Sequence, residues 1–315
     1  MTESRPEHGA ARQGRRLMII HNPAAGSHGG RFAETTMRLA ELGCRLEVRR
    51  TGAHGDAEDL AREAAGCDLV VAAGGDGTIN EVINGLVAAG AGLPLAILPL
   101  GTANVLAAEI GLDLNPAALA KVIARGAPRP VCLGRLSAGQ GAGRLFAMMA
   151  GAGFDAHAVA GVNLALKRVF GKLAYAAEVL RQLAVFPFPR YRVVVDGEAF
   201  DAASVVAAKG RYYAGRYVLA PEARLEDPRL HVCIFGRGGR WAALRYGLAM
   251  EMRRLDAAPG YRIVPGRVVA IEGPAGDPLQ ADGDIVGRLP VEIEIVPDAL
   301  RLVTPIGPPV STRST

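Results

Sequence analysis

Gly74-Gly75-Asp76-Gly77-Thr78 is the stretch of this chain whose chemistry is easiest to read. It follows the apolar run Leu69-Val70-Val71-Ala72-Ala73 and precedes a helical segment from Ile79 to Ala89. A strand, a glycine turn and a helix can bind phosphate. Glycine lets the backbone approach an anion and adopt positive φ, and the free N–H groups of the first helical turn then face that anion. Thr78 and Glu81 have the spacing of a capping box. A plain tight turn before a capped helix uses the same residues, so the stretch alone does not decide. Further carboxylates lie in the second half. Gln280-Ala281-Asp282-Gly283-Asp284 sets two of them two residues apart, a pattern that also reads as an Asp-Gly hairpin turn. Gly151-Ala152-Gly153-Phe154-Asp155-Ala156 spells the dinucleotide fingerprint G-x-G-x-x-A by letter. It lies outside any complete βαβ unit, and no acidic residue ends a second strand about 20 residues later, so that assignment is rejected.

The elements that position these residues differ between the two halves. Leu17–His21, Arg45–Arg50, Leu69–Ala73 and Leu95–Pro99 read as strands. Arg31–Leu42, Asp56–Ala65 with Asp56 as N-cap, Ile79–Ala89, a helix ending near Ile110 and one starting at Asn115-Pro116 alternate with them. That alternation predicts a parallel α/β sheet. A polar loop closes each strand: Asn22, Thr51, Gly75-Asp76 and Thr102. Ligands of open parallel sheets bind outside the carboxyl ends of the strands, so four such loops predict one site. Beyond residue 130 the pattern turns to β. Val131–Ser137 and Arg144–Met149 form a hairpin, as do Arg190–Val195 and Phe200–Ala208 around Asp196-Gly197, and Leu230–Phe235, Tyr261–Val264, Val268–Ile271, Val291–Val296 and Leu300–Val303 are further strands. Trp241–Met252 is a helix between them. Leu164–Phe186 is helical, with Lys167, Arg168, Lys172 and Arg181 among apolar residues. It suits either a membrane surface or a core-facing helix with solvated basic groups. The expected boundaries are a disordered tail at 1–16, a nucleotide-binding domain at 17–130, a substrate domain at 131–298 and a tail at 306–315. The strand near 299–305 packs back on the first domain.

Composition narrows the function classes. The chain has 315 residues, a formal charge of +5, 40 glycines and 20 prolines. An arginine-rich surface fits an anionic partner or plain solvation. No basic block is interleaved with aromatics, so nucleic acid is not expected. Cys44, Cys67, Cys132 and Cys233 are far apart, which argues against a zinc site or a disulfide framework. Residues 1–16 have no apolar h-region and no run of about 18 apolar residues exists, so a cytoplasmic location is expected.

Taken in order, Asn22-Pro23-Ala24-Ala25-Gly26, Gly74–Val82, Pro99-Leu100-Gly101-Thr102-Ala103-Asn104, Gly151–Ala156 and Asp282-Gly283-Asp284 resemble the diacylglycerol kinase catalytic-domain family, which includes bacterial lipid kinases and sphingosine kinases. The resemblance covers residues 17 to about 304. It implies a Rossmann-like, NAD kinase-like α/β domain, a β-rich C-terminal domain and an active site in the cleft. It also implies ATP, Mg2+ and transfer of the γ-phosphate to a diacylglycerol or sphingoid-type hydroxyl. Carried over, Asn22, Thr51, Gly74, Gly75, Asp76, Gly77, Thr78, Glu81, Gly101 and Thr102 contact the nucleotide or its magnesium. Asp284 accepts the hydroxyl proton where the family usually has Glu, Asp155 is the second candidate for placing the acceptor, and Asp282 supports the loop. Asp76 is the expected metal ligand. Asp227, in Asp227-Pro228-Arg229-Leu230, matches the family's Asp-Gly-x-Leu structural magnesium loop, with proline in place of glycine. The expected partners are a lipid alcohol and a transient anionic membrane surface at the inner membrane face, and a homodimer is compatible with the sequence. NAD kinases share Gly-Gly-Asp-Gly-Thr but lack Pro-x-Gly-Thr-x-Asn, so a soluble-metabolite kinase is the runner-up. A non-catalytic binding module stays open through the Glu-to-Asp change at Asp284.

Overall fold

Three short apolar runs, too short for helices, and a fourth, alternating and charged edge strand form the parallel heart of the chain. In the computed structural model, which describes residues 14–26, 29–137, 143–161, 172–215 and 217–305, these are β1 (Arg16–His21), β2 (Arg45–Arg50), β3 (Leu69–Gly74) and β4 (Leu95–Pro99). They lie in the order β2-β1-β3-β4, all parallel. Alternate side chains serve two cores. Met18, Ile20, Val70 and Ala72 pack with Ala57, Ala61, Val82 and Ile83 from α2 (Asp56–Arg62) and α3 (Asp76–Ala89). Leu17, Ile19, Leu69 and Val71 pack with Leu39 of α1 (Gly29–Glu41) and with Leu119 and Ile123 of a helix over Pro116–Arg125. Helices on both faces of a parallel sheet are what the alternation predicts.

The sheet does not stop at residue 130. A strand at Ala127–Ser137 pairs antiparallel along a 14-residue strand, Val291–Thr304, which meets β4 in parallel through Leu302 and Leu95. The two C-terminal strands expected at 291–296 and 300–303 are therefore one, with a register shift between Val296 and Leu300. Strand pairs at 268–272, 191–195 and 198–202 extend the same sheet. The expected strand 200–208 breaks at Ala203: its first part stays in this sheet and Ser204–Ala208 joins a second, six-stranded one. The expected arm 144–149 ends at Phe146, and Met149–Gly153 also belongs to the second sheet. Tyr191, Val193, Val205, Val232, Ile271 and Ile293 fill the space between the two sheets, giving the β-rich C-terminal half its core.

Residues 164–171, the start of the expected basic helix, lie outside the described residues, as do most of the two tails. All four cysteines are free. Among the described residues no helix is long and apolar enough to cross a membrane.

Candidate active site

The carboxyl ends of β1, β3 and β4 are tied together by short polar links. Asn22 follows β1: its N–H donates to the Ala73 carbonyl at 2.9 Å, and its side-chain amide donates to Thr78 Oγ1 at 2.9 Å. Thr51, buried at the end of β2, donates its N–H to the His21 carbonyl. Leu100 N–H donates to the Gly74 carbonyl at 2.8 Å, joining the two glycine loops.

The glycines serve a purpose other than the expected one. None of Gly74, Gly75, Gly77 or Gly101 has positive φ. They are small because neighbours come close. A methyl group at Gly74 would meet Thr78 Cβ at 2.5 Å, and one at Gly101 would meet the Gly75 Cα at 2.7 Å. Gly101→Ala must therefore push two backbone loops apart. We expect a loss of about 1–3 kcal/mol in urea unfolding, with weaker nucleotide binding.

The helix begins differently as well. The N-cap of α3 is Gly75, with no side-chain cap, so the capping box expected between Thr78 and Glu81 does not form. Thr78 is turned to Asn22. Glu81, buried, pairs with His54 Nδ1 at 2.7 Å and accepts the Ala57 N–H at 3.2 Å, holding the start of α2. Asp56 is the first residue of α2, not its cap; its carboxylate accepts the N–H groups of Gly52 and Ala53 after β2. The first intrahelical bond of α3 runs from Ile79 N–H to the Gly75 carbonyl, which leaves the N–H groups of Asp76, Gly77 and Thr78 for an anion.

Asp76 itself points across to the second loop. Its Oδ1 accepts the Val105 N–H at 2.8 Å, at the start of the short helix α4 (Val105–Glu109). Burial pushes its carboxyl up to about 6, opposed by that hydrogen bond and reinforced by Asp282. Asn104 takes a left-handed conformation at φ 49° and donates from its side chain to the Gly101 carbonyl. Thr102 is exposed at the loop's tip. Arg31 donates to the Pro99 carbonyl at 3.0 Å, setting a cation beside this loop that the sequence motifs do not include.

The C-terminal half brings three carboxylates, each differently housed. Asp282 and Gly283, at φ 47° and 90°, are the turn between strands at Pro278–Ala281 and Asp284–Arg288. The hairpin and the acidic motif are thus the same object. Asp282 is half-buried and accepts four bonds of 2.8–3.0 Å, from the N–H groups of Ala147, Met148 and Met149 and from Asn80 of α3. Burial raises its carboxyl above the usual range despite those donors. It fastens the hairpin to α3, which is the supporting role expected of it. Asp284 is exposed, and a methyl group at Gly77 would lie 3.1 Å from its Oδ2. An acid more than 200 residues away in the chain therefore abuts the glycine loop.

Asp155 opens α6 (Phe154–Gly161), which follows α5 (Pro116–Arg125) in the chain. The Asp155 side chain is buried and accepts from the Tyr213 hydroxyl and, at 2.8 Å, from Gln280 Nε2. Gln280 in turn accepts the Gly283 N–H at 3.1 Å. Asp155 thus braces the hairpin that carries Asp284. Tyr213 belongs to a two-stranded ribbon, Tyr212–Tyr213 with Tyr217–Val218, whose foot is held by Arg211 on buried Glu109. Sequence reasoning assigned no role to Asn80 and Gln280, which lie within the motifs, nor to Tyr213 and Glu109, which lie outside them, since each acts through a partner distant in the chain.

Asp227 is arranged otherwise than expected of a metal ligand. Both oxygens accept from Arg229, at 3.0 and 2.9 Å, and that guanidinium holds its carboxyl below the usual range. The fully buried Lys209 donates to the Arg224 carbonyl of the same loop. Two internal cations already serve this loop. Among the described residues no group of three or more His, Cys, Asp or Glu side chains is gathered to hold a metal.

Comparison with known proteins agrees with this layout. Residues 16–136 match the model of the diacylglycerol kinase catalytic domain, and residues 148–304 that of the YegS C-terminal NAD kinase beta sandwich-like domain. A protein of Pseudomonas aeruginosa named "Probable lipid kinase YegS-like" is 33% identical over 308 residues, covering 93% of this chain and 95% of that one. A protein of Mycobacterium tuberculosis named "Diacylglycerol kinase" is 30% identical over 307 residues, covering 92% and 95%. The crystal structure of a diacylglycerol kinase from Bacillus anthracis superposes with a TM-score of 0.77 at 23% identity, over 94% of this chain and 99% of that one, and supports the fold.

Proposed function

The chain belongs to the diacylglycerol kinase catalytic-domain family and is a lipid kinase, and from that premise we propose that it phosphorylates the hydroxyl of a diacylglycerol or sphingoid-type lipid with ATP at Asp284. The family assignment replaces the soluble-metabolite and non-catalytic alternatives. The observation that carries the residue assignment is the contact of Asp284 with the glycine loop at Gly77.

In this reading the phosphates lie over the first turn of α3, against the N–H groups of Gly77 and Thr78. Asn22, Thr51, Gly101 and Thr102 supply the neutral contacts from the adjoining strand ends, and Arg31 adds positive charge at Pro99. Among the described residues there is no all-protein cation cage, which suits a Mg2+ carried on the nucleotide. Such an ion takes one or two carboxylates plus phosphate oxygens. Asp76, in the first turn of α3 beside Gly77, is the residue that would hold it, and such an ion would neutralise charge developing on the β- and γ-phosphates. Asp284 accepts the proton of the lipid hydroxyl as that oxygen bonds to the γ-phosphorus and the bond to the β–γ bridging oxygen breaks, releasing ADP. Being exposed, Asp284 returns the proton to water. Asp155 acts through Gln280 and Gly283 to hold the hairpin, and Asp282 locks it to α3. Asp227 has no part in this scheme.

The direct test incubates the purified chain with γ-labelled ATP and a total lipid extract and identifies the labelled product. Label in a phosphatidic acid or a phosphorylated sphingoid base is the expected result. Label on a sugar lipid alone would refute the acceptor class and leave the kinase assignment standing.

A further inference from the structure

An exposed apolar stripe runs along one helix of the C-terminal half, α8 (Arg240–Glu251, with α7 at Lys172–Val185), and onto its C-cap Met252. Trp241 is 76% exposed, Leu248 62%, Met252 57% and Leu244 44%. At about 100° per residue these four fall within a sector of roughly 80°. Tyr246, buried on the opposite side, anchors the helix to the fold through its hydroxyl, which accepts the Arg237 N–H and donates to the Pro259 carbonyl. The stripe is therefore no frayed segment but the outward face of a docked helix. Arginines surround it. Arg240, Arg245, Arg253 and Arg254 are exposed, and among the described residues none of them has a carboxylate within ion-pairing distance.

An exposed tryptophan and leucines bordered by arginines is the pattern of a helix lying in a lipid–water interface. A second copy of this chain is a poor occupant, because two-fold pairing of the stripe would set the arginines of one copy against those of the other. An anionic lipid surface satisfies both features at once: the apolar stripe enters the acyl boundary and the arginines meet headgroup phosphates. The position fits too. The helix α8 touches the strand Tyr217–Val218, whose partner strand carries Tyr213, the donor to Asp155.

We propose that the outward face of α8, Trp241-Leu244-Leu248-Met252 with Arg240, Arg245, Arg253 and Arg254, docks this chain on an anionic membrane surface. The proposal deepens the lipid-kinase reading and rests on it for its purpose, though not for its test. Trp241 is the only tryptophan in the chain, so its emission reports on this face alone. Vesicles of phosphatidylcholine with phosphatidylglycerol (roughly 30 mol%, enough to set a negative surface potential) and a small fraction of diacylglycerol are titrated into the full chain. The expected result is a blue shift of Trp241 emission and its quenching by brominated acyl chains, with little response to pure phosphatidylcholine. Arg245→Gln with Arg253→Gln should weaken binding roughly 25-fold, at about five-fold per arginine. Leu248→Glu should abolish the shift and cut phosphorylation of vesicle lipid about ten-fold or more, while turnover of a dispersed short-chain diacylglycerol stays unchanged. That last arm separates a lost surface from a misfolded chain. If emission does not move on vesicles that the chain phosphorylates, or if Leu248→Glu only converts a dimer to a monomer, the proposal is overturned. If the shift appears but no lipid is phosphorylated, the kinase reading falls and the docking surface stands.

Discussion

Asp284→Asn is expected to lower kcat for lipid phosphorylation by about 10²–10⁴-fold, while the affinity for ATP stays within a few-fold of the parent. Asparagine keeps the size and most of the hydrogen bonding of aspartate but cannot take the hydroxyl proton. The substitution is structurally mild, because Asp284 is exposed and follows the turn rather than forming it. The neighbouring Asp282→Asn is the contrast. Its carboxylate accepts four donors, two on each oxygen, and an amide would turn an NH2 group toward backbone N–H groups. That change should cost about 1–3 kcal/mol of stability through unsatisfied buried donors. Steady-state kinetics on dispersed short-chain diacylglycerol, with nucleotide binding by calorimetry and unfolding in urea, separates the two residues. Retention of activity within about ten-fold by Asp284→Asn, a loss smaller than general-base catalysis supplies, would remove Asp284 from the proton-transfer role.

How far the sequence reaches is clearest at these same residues. The parallel sheet was legible because alternation of strand and helix is a local pattern, and the strand-end loops follow from it. The Asp282-Gly283 turn was legible for the same reason. What local pattern misses is which partner a polar group chooses. Thr78 and Glu81 have capping-box spacing, yet Asn22 and His54, both distant in the chain, draw them away. The glycines were expected to provide positive φ, but the demand comes from loops touching across the site, which spacing cannot reveal. The break at Ala203 is marked by no glycine or proline, and only the second sheet decides where the chain crosses. At Asp227 the motif's Asp and Leu survive, while Arg229 between Pro228 and Leu230 changes what the carboxylate binds. The stripe on α8 was read as part of an ordinary helix, because periodicity alone does not tell the buried face from the exposed one.

Asp76→Asn tests the opposite balance, between activity and stability. Its activity should fall by about 10³-fold or more, the scale on which electrostatic stabilisation of a transferring phosphoryl group acts. The apo chain, however, should become more stable at neutral pH. Burial pushes the Asp76 carboxyl from 3.8 up to about 6, so the fold prefers its neutral form. A carboxyl raised in this way contributes stability that is fully present below pH 3.8 and is lost as pH rises through about 6. At pH 7 the folded parent therefore carries an ionised, half-buried aspartate at a cost of up to about 3 kcal/mol. Asparagine is neutral at every pH and its Oδ1 can still accept the Val105 N–H. The difference in unfolding free energy between variant and parent should be near zero at pH 4 and should grow in favour of the variant between pH 4 and 7. Taking the difference cancels the other carboxylates, which titrate alike in both proteins. A variant less stable than the parent at pH 7 would mean that Asp76 acts chiefly as the brace between the glycine loop and α4. A variant more stable and inactive would mean that the fold holds this carboxylate at a standing cost, which is what a residue kept for its charge rather than its packing should do.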